Sequence, residues 1–308
     1  MTQLTAHEVL TQVQAGQPLH QAELSNINLQ GTCLDGGDFA RAYLRRATLA
    51  DASCQGTDFS GATLSWANLR SIVLEQAQLV NAVLTKTHLE QADLRRSHAY
   101  KAKFCGAFLG ETNGSHAILD AADFQEATGP RSNFKRASLV KAVFNQSNFS
   151  QASFEGAILT QSQWQQATLS GTSFAVANLE QAVCSEAILV GTNLSEINGL
   201  SADFQQADLT AATLRQAQLD WADFWHAMLV QADFQRASLF GTTLEATNLT
   251  NANFTGADLR QANLENAQLA GACFDDCKVR GALFTDATGL LPAQKRWLRH
   301  QGALNVAG

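Results

Sequence analysis

The side chains able to do chemistry are few and scattered. There are seven histidines and six cysteines in 308 residues, and no pair of histidines has the spacing of a zinc site. Cys273 and Cys277 lie four apart but fall at different phases of the five-residue pattern that runs through the chain, so one faces out and the other in. Asp and Asn recur along the chain, yet they stand where turns are needed and read as turn formers before paired catalytic acids. No Gly-x-Ser-x-Gly elbow, phosphate-binding loop, Gly-x-Gly-x-x-Gly or His-Glu-x-x-His occurs. An enzyme needs convergent polar groups in a cleft. The sequence predicts none, and with it no catalytic residue, no cofactor and no metal.

Three sets of surface residues are better candidates, all for binding a protein partner. Trp221, Trp225 and Phe240 form an aromatic set outside the core phase. Arg95, Arg96, Tyr100, Lys101 and Lys103 open a basic stretch. From Arg95 to Arg136 there are seven Lys and Arg against four acids. Glu180, Glu186 and Glu196 belong to an acidic stretch, Ala142 to Leu214, that has six acids and no Lys or Arg. The formal charge of -7 excludes a uniformly basic nucleic-acid binder, so direct nucleic-acid contact is not expected.

The element that must position these groups is a period of five. From Leu24 to Phe284 there are 53 positions whose numbers end in 4 or 9, and 45 hold Leu or Phe. The exceptions are Cys54, Ala99, Gly114, Gly129, Trp164, Cys184, Gly199 and Val279. Two residues before each central position, 36 of 53 residues are Ala and 14 more are Gly, Ser, Thr or Cys. Five fits neither the helical 3.6 nor the strand 2. Residues two apart in extended chain share a face, so each block reads as a very short strand followed by a turn. A chain that turns regularly with one side always inward must coil, and its coils must stack to satisfy their backbone groups.

Blocks such as Ala67-Asn68-Leu69, Ala122-Asp123-Phe124, Ala207-Asp208-Leu209 and Ala257-Asp258-Leu259 resemble the Ala-(Asp/Asn)-Leu-X-X consensus of pentapeptide-repeat proteins. The resemblance implies an all-β solenoid, a right-handed quadrilateral β-helix with 20 residues per coil and about 13 coils. At ~4.8 Å per coil that would make a rod of roughly 60 to 65 Å. Boundaries follow: residues 1–20 as an N-terminal cap helix, 21–288 as the β-helix, and 289–308 as a C-terminal cap helix and tail. Thr5-Ala6-His7-Glu8 is a capping box with Leu4 and Val9 as its staple, and Gly16 is a stop. Pro292 suits a first helical position, with Trp297 and Leu298 covering the last coil. Covered ends predict a monomer.

Ala99, Gly114, Gly129 and Gly199 leave core positions thin, so the pattern predicts a gap, a distorted corner or a neighbour such as Tyr100 or Phe108 filling in. At Gly199, Ile197 is placed to supply the missing volume. Stacking every twenty residues puts Trp66 between Arg46 and Lys86, and Trp221 between Ser201 and Gly241. No apolar run reaches membrane-spanning length and Met1 to Gln14 lacks a signal-peptide pattern, so a soluble cytoplasmic protein without membrane contact and with reduced thiols is expected. The short caps resemble those of cyanobacterial members, which points to such a source. The expected function is a rigid interaction or scaffold module for a protein partner. The alternative that the family resemblance implies is a DNA mimic acting on DNA gyrase, which the unbroken register and the basic stretch argue against.

Overall fold

The computed structural model describes residues 4–307. Residues 1–3 of the expected N-terminal cap and 308 of the expected C-terminal tail lie outside the described residues. The chain divides after Ile158 into two compact units. Both have the same block geometry. Extended strands are absent among the described residues; each block contributes one bridging residue, because a turn intervenes every five residues. In the first unit Glu23 bridges Tyr43, which bridges Thr63, always in parallel and always twenty residues on. In the second, Val183, Asp203, Asp223 and Thr243 form the same ladder. Four blocks therefore complete one coil, and each coil has four sides.

The backbone hydrogen bonds explain the consensus. In the block 57–61, Thr57 N–H closes a turn on the Cys54 carbonyl at 3.3 Å, and Asp58 N–H donates to Gly37 on the preceding coil at 2.9 Å. Phe59 and Gly61 donate to Gln78 and Val80 on the following coil, both at 2.8 Å. One donor is left, Ser60 N–H, and the Asp58 carboxylate accepts it at 2.8 Å. The block 202–206 in the second unit repeats all five, with Asp203 accepting from Gln205 N–H at 2.9 Å. Asp or Asn before the central residue is thus the acceptor for the one amide that the ladder leaves over.

In three of the blocks where that residue is serine, an acid from the preceding coil takes the task. Asp35, Asp120 and Asp220, each on the preceding coil, accept from the Gln55, Val140 and Phe240 amides and from the Ser53, Ser138 and Ser238 hydroxyls. Pro130 solves the same problem by having no N–H. It occupies the position whose amide has no place in the ladder, so Gly129-Pro130 does not interrupt the coil: Gly129 N–H still reaches Asn148 and Glu111 N–H still reaches the Pro130 carbonyl.

Every turn puts one residue, numbered with a final 1 or 6, into the left-handed region, including Trp66 at φ 64° and Trp221 at φ 61°. Non-glycine residues disfavour this region by about 1–2 kcal/mol each, and the inter-coil hydrogen bonds hold them there. The side chain stands at a corner and faces solvent.

Inside, the central Leu and Phe are fully buried, and rings stack from coil to coil. In the first unit Phe124 lies between Phe104 and Phe144 at centroid distances of 4.7 and 4.6 Å. In the second, Trp164 replaces a Leu or Phe, is fully buried, and donates its Nε1–H to Ser162 Oγ at 2.8 Å. The thin core positions correct the expectation of a gap. A side chain at Gly114 would collide with Phe134, and one at Gly129 with Phe149, each a central residue one coil further on. The larger ring leans over the glycine and fills the space, and the ladder continues unbroken. Tyr100 and Phe108 take no part, being 43% and 40% exposed. At Gly199 the space is shared by Leu219 and Ile197, so the expected replacement holds there.

A short helix stands near each end of the described residues. Helix α1 (Ala6–Gln14) carries the Thr5/Glu8 capping box and buries Val9. Beyond it Gly16, at φ 63°, and Gln17 return amides to Val13 and Gln12. Helix α2 (Pro292–His300) begins at Pro292, buries Leu298 and ends the same way at Gly302, φ 85°. Gln294 ties it to the last coil by donating to the Ala272 carbonyl at 2.8 Å. The chain after α2 then pairs with that coil, Leu283 bridging Leu304, a feature the sequence pattern does not announce. No helix among the described residues is long and apolar enough to cross a membrane.

Candidate interaction surfaces

With the interior filled, chemistry is confined to the outer columns, each formed by residues twenty apart. One wall of the first unit is made by residues 40–46, 60–66, 80–86 and 100–106. It presents Arg41, Arg45, Arg46, Lys86, Lys101 and Lys103, and no Asp or Glu lies in those four segments. All six cations are exposed, and none forms an ion pair among the described residues. Tyr43, Trp66 and Tyr100 stand among them, 49%, 49% and 43% exposed. Lys86 Nζ sits 4.9 Å from the Trp66 ring centre and Lys101 Nζ 5.1 Å from that of Tyr100. The expected column at Trp66 therefore forms with Lys86; no such contact with Arg46 occurs among the described residues. Small residues at Ser60, Gly61 and Thr63 leave a shallow groove of about 670 Å³ between Arg41, Tyr43 and Val80.

This wall gathers only part of the predicted basic set. Tyr100, Lys101 and Lys103 belong to it. Arg95 and Arg96 stand on a different corner and are spoken for: Arg95 pairs with Asp93 at 2.6 Å and Glu75 at 3.3 Å, and Arg96 with Glu75 at 3.6 Å. Further along the same stretch, Arg131 pairs with Glu111 and Lys135 with Glu155, both at 2.7 Å. Counting charge along the chain thus misses Arg41, Arg45, Arg46 and Lys86, sixty residues to fifteen before Lys101. The signal was the residue number modulo twenty.

The second unit shows the reverse polarity at the same phase. Residues 180–186, 200–206, 220–226 and 240–246 carry Glu180, Glu186, Asp203, Asp220, Asp223 and Glu245, with no Lys or Arg. None of these six forms an ion pair among the described residues. Trp221, Trp225 and Phe240 stand on this wall, but they do not form one cluster. Trp221, 59% exposed, meets Phe240 edge to face at 5.3 Å and lies over Gly241, where any Cβ would strike its ring. Trp225 is half-buried on the next corner, against the ring of His226 at 4.1 Å. Between the two corners Asp203 and Asp223 stack on adjacent coils. Burial, and then the neighbouring Asp223 carboxylate, raises Asp203 above the usual carboxylate range, despite the amide of Gln205. Glu196 stands on another corner, apart from Glu180 and Glu186.

The remaining titratable groups are structural. Burial pushes the thiols of Cys54 and Cys184 far up, and burial with Asp123 raises Cys105 to about 12, so these thiols stay protonated and poorly nucleophilic. Cys277 is buried and donates to the Phe254 carbonyl, whereas Cys273 is half-exposed, as their phases predict. Burial raises the Glu90 carboxyl, but Arg70 at 2.9 Å and His88 at 3.1 Å outweigh it and hold it below the usual range. No group of three His, Cys, Asp or Glu placed to hold a metal ion occurs among the described residues. A crevice of about 690 Å³ beside α2 is lined by Cys273, Phe274 and Trp297 with the exposed Asp275 and Asp276.

A coil of four five-residue blocks, with Leu or Phe inside and the other side chains outward, defines a repeat solenoid. The chain belongs to the pentapeptide repeats family, whose sequence profile matches residues 22–110 and 131–286 in overlapping copies. The unmatched interval holds Gly114, Gly129 and Pro130, where the backbone pattern is kept by unusual residues. Comparison with curated protein sequences gives no match. Among solved structures, HetL of the cyanobacterium Nostoc sp. strain PCC 7120, involved in heterocyst differentiation regulation, is 27% identical, covering 91% of this chain and 96% of HetL, TM-score 0.26. Rfr23 of the cyanobacterium Cyanothece 51142 is 35% identical over 29% of this chain and 62% of Rfr23, TM-score 0.29. QnrB1, a plasmid-mediated fluoroquinolone resistance protein, is 18% identical over 73% of this chain and 96% of its own, TM-score 0.28.

Proposed function

We propose that this protein is a non-catalytic interaction module, a right-handed quadrilateral β-helix that holds fixed arrays of side chains for recognition by protein. The observation that carries this reading is the wall of residues 40–106. Six exposed cations without ion pairs and three exposed aromatic side chains are held there in register by an interior of Leu, Phe and small residues. A backbone already fixed by the coil ladder has little freedom left to lose on binding, which favours recognition by many modest contacts. Exposed aromatics flanked by charge are the residue types that anchor such contacts. The reading as a gyrase-directed DNA mimic finds less support. Its acidic side chains share a wall with Trp221, Trp225 and Phe240, and Glu196 stands apart from the others.

Site-specific photocross-linking in a native extract tests the reading. A photoreactive residue at Val80 should give discrete protein adducts that the same residue at Ser150, on another wall, does not. Those adducts should be lost in the Arg41→Glu/Arg45→Glu/Arg46→Glu variant. Equal labelling from both walls would remove the reason to assign function to this surface.

A further inference from the structure

The two walls described above are complementary in more than sign. Each spans four consecutive coils of its unit at the same phase of the twenty-residue repeat, and each carries six charges of one kind and none of the other. Each also holds three aromatic side chains outside the core. Three coil steps at about 4.8 Å make both about 14 Å long between their outer rows, so the two arrays are matched in length as well as in charge number.

We propose that the basic wall of the first unit binds the acidic wall of the second unit in another copy of this chain. The inference extends the interaction-module reading and names its partner as a second copy. On the basic side, Lys86 and Lys101 lie over Trp66 and Tyr100, which holds their ammonium groups at the wall instead of letting them swing free in solvent. On the acidic side, the carboxylates accept hydrogen bonds from neutral partners only: Glu186 from Gln166, Asp223 from Gln205, Glu245 from Asn263. Both arrays are therefore unneutralised by ion pairs, and part of each is held in place, a condition that favours charge complementarity across an interface. The stacked Asp203 and Asp223 repel each other within their own wall, and a cation from outside relieves that repulsion.

The helical caps block end-to-end association and leave this lateral contact untouched, so the monomer expected from the caps is not what the walls favour. A patch of this length is at the small end of the range for stable complexes, the size class of weak and transient contacts.

Sedimentation equilibrium of the full chain, from micromolar to several hundred micromolar, tests the proposal at about 0.05 M and about 1 M salt, where the screening length shrinks to about 3 Å. The wild type should associate at low salt and be monomeric at high salt. Arg41→Glu/Arg45→Glu/Arg46→Glu and Glu180→Lys/Glu186→Lys/Glu245→Lys should each weaken association at least roughly tenfold. Circular dichroism unchanged from wild type establishes that both variants fold. An equimolar mixture of the two variants should restore association, because each then offers the other a complementary pair of walls. A wild type that is monomeric at low salt across that range, association indifferent to salt, or a mixture that stays monomeric would overturn the proposal. Adducts with foreign proteins from Val80 would in each of those cases leave the interaction-module reading standing.

Discussion

The wall of residues 40–106 and the wall of residues 180–246 have one backbone and opposite surfaces. Both are built from the same turn, the same parallel bridges and the same buried Leu and Phe. Yet the first presents only Lys and Arg and the second only Asp and Glu. The difference shows that the fold consumes two residues of every five, the small one and the large one, and part of a third. What remains is free to vary, and it varies by column. Over the whole chain the first unit has 13 Lys and Arg against 14 acids, and the second has 8 against 14. Net charge therefore hides the basic wall almost completely, because the acids of the first unit lie on its other sides or, like Glu23, Asp120, Asp123 and Glu126, on the coils that flank the wall.

The comparison breaks most readily from the inside. Phe124→Ala removes a ring stacked on both neighbours and should cost about 3–5 kcal/mol in denaturant unfolding, whereas Lys103→Ala on the basic wall should fall within about 0.5 kcal/mol. Comparable costs for the two would mean that interior and exterior are not separable in the way the two walls imply.

A smaller effect sharpens the contrast in charge. Asp203 is raised above its ordinary range by burial and by Asp223, so the folded state holds its proton more tightly than the unfolded state does. Such a group stabilises the fold below the unfolded value and loses that contribution as pH rises through the folded one. Asp203→Asn, which keeps the oxygen that accepts from Gln205 N–H, should therefore be more stable than wild type near neutral pH. The gain should vanish below about pH 3.9, where the unfolded carboxylate is itself protonated. Thermal unfolding at both pH values reads the difference, and an equal gain at both would assign it to packing and not to charge.

Much of the fold was legible in the sequence because its determinants are local. The five-residue period, the small and large inward positions, the Thr5/Glu8 box, Gly16 and Pro292 each act within a few residues. Gly114 and Gly129 were misread because the filling group lies twenty residues on, at Phe134 and Phe149, and a pattern read in blocks of five does not look that far. The candidate surfaces failed to resolve for the same reason. Arg95 and Lys101 are neighbours in sequence but stand on different corners, one paired with Glu75 and one free. Arg41 and Lys101 are sixty residues apart and share a wall. The return of the chain from α2 to Leu304 had no signal beyond Gly302, since a single bridging residue leaves no periodic trace.

Both walls depend on residues twenty apart being neighbours while closer ones in sequence are not. Two double variants measure this directly, Asn81→Cys/Lys101→Cys and Lys86→Cys/Lys101→Cys, each treated with a thiol cross-linker whose reach is about the ~4.8 Å coil spacing. The account predicts efficient intramolecular cross-linking of residues 81 and 101, mapped by mass spectrometry, and little of residues 86 and 101, which stand on opposite corners of one wall. Efficient linking of 86 to 101 with none of 81 to 101 would contradict the twenty-residue register and, with it, both walls.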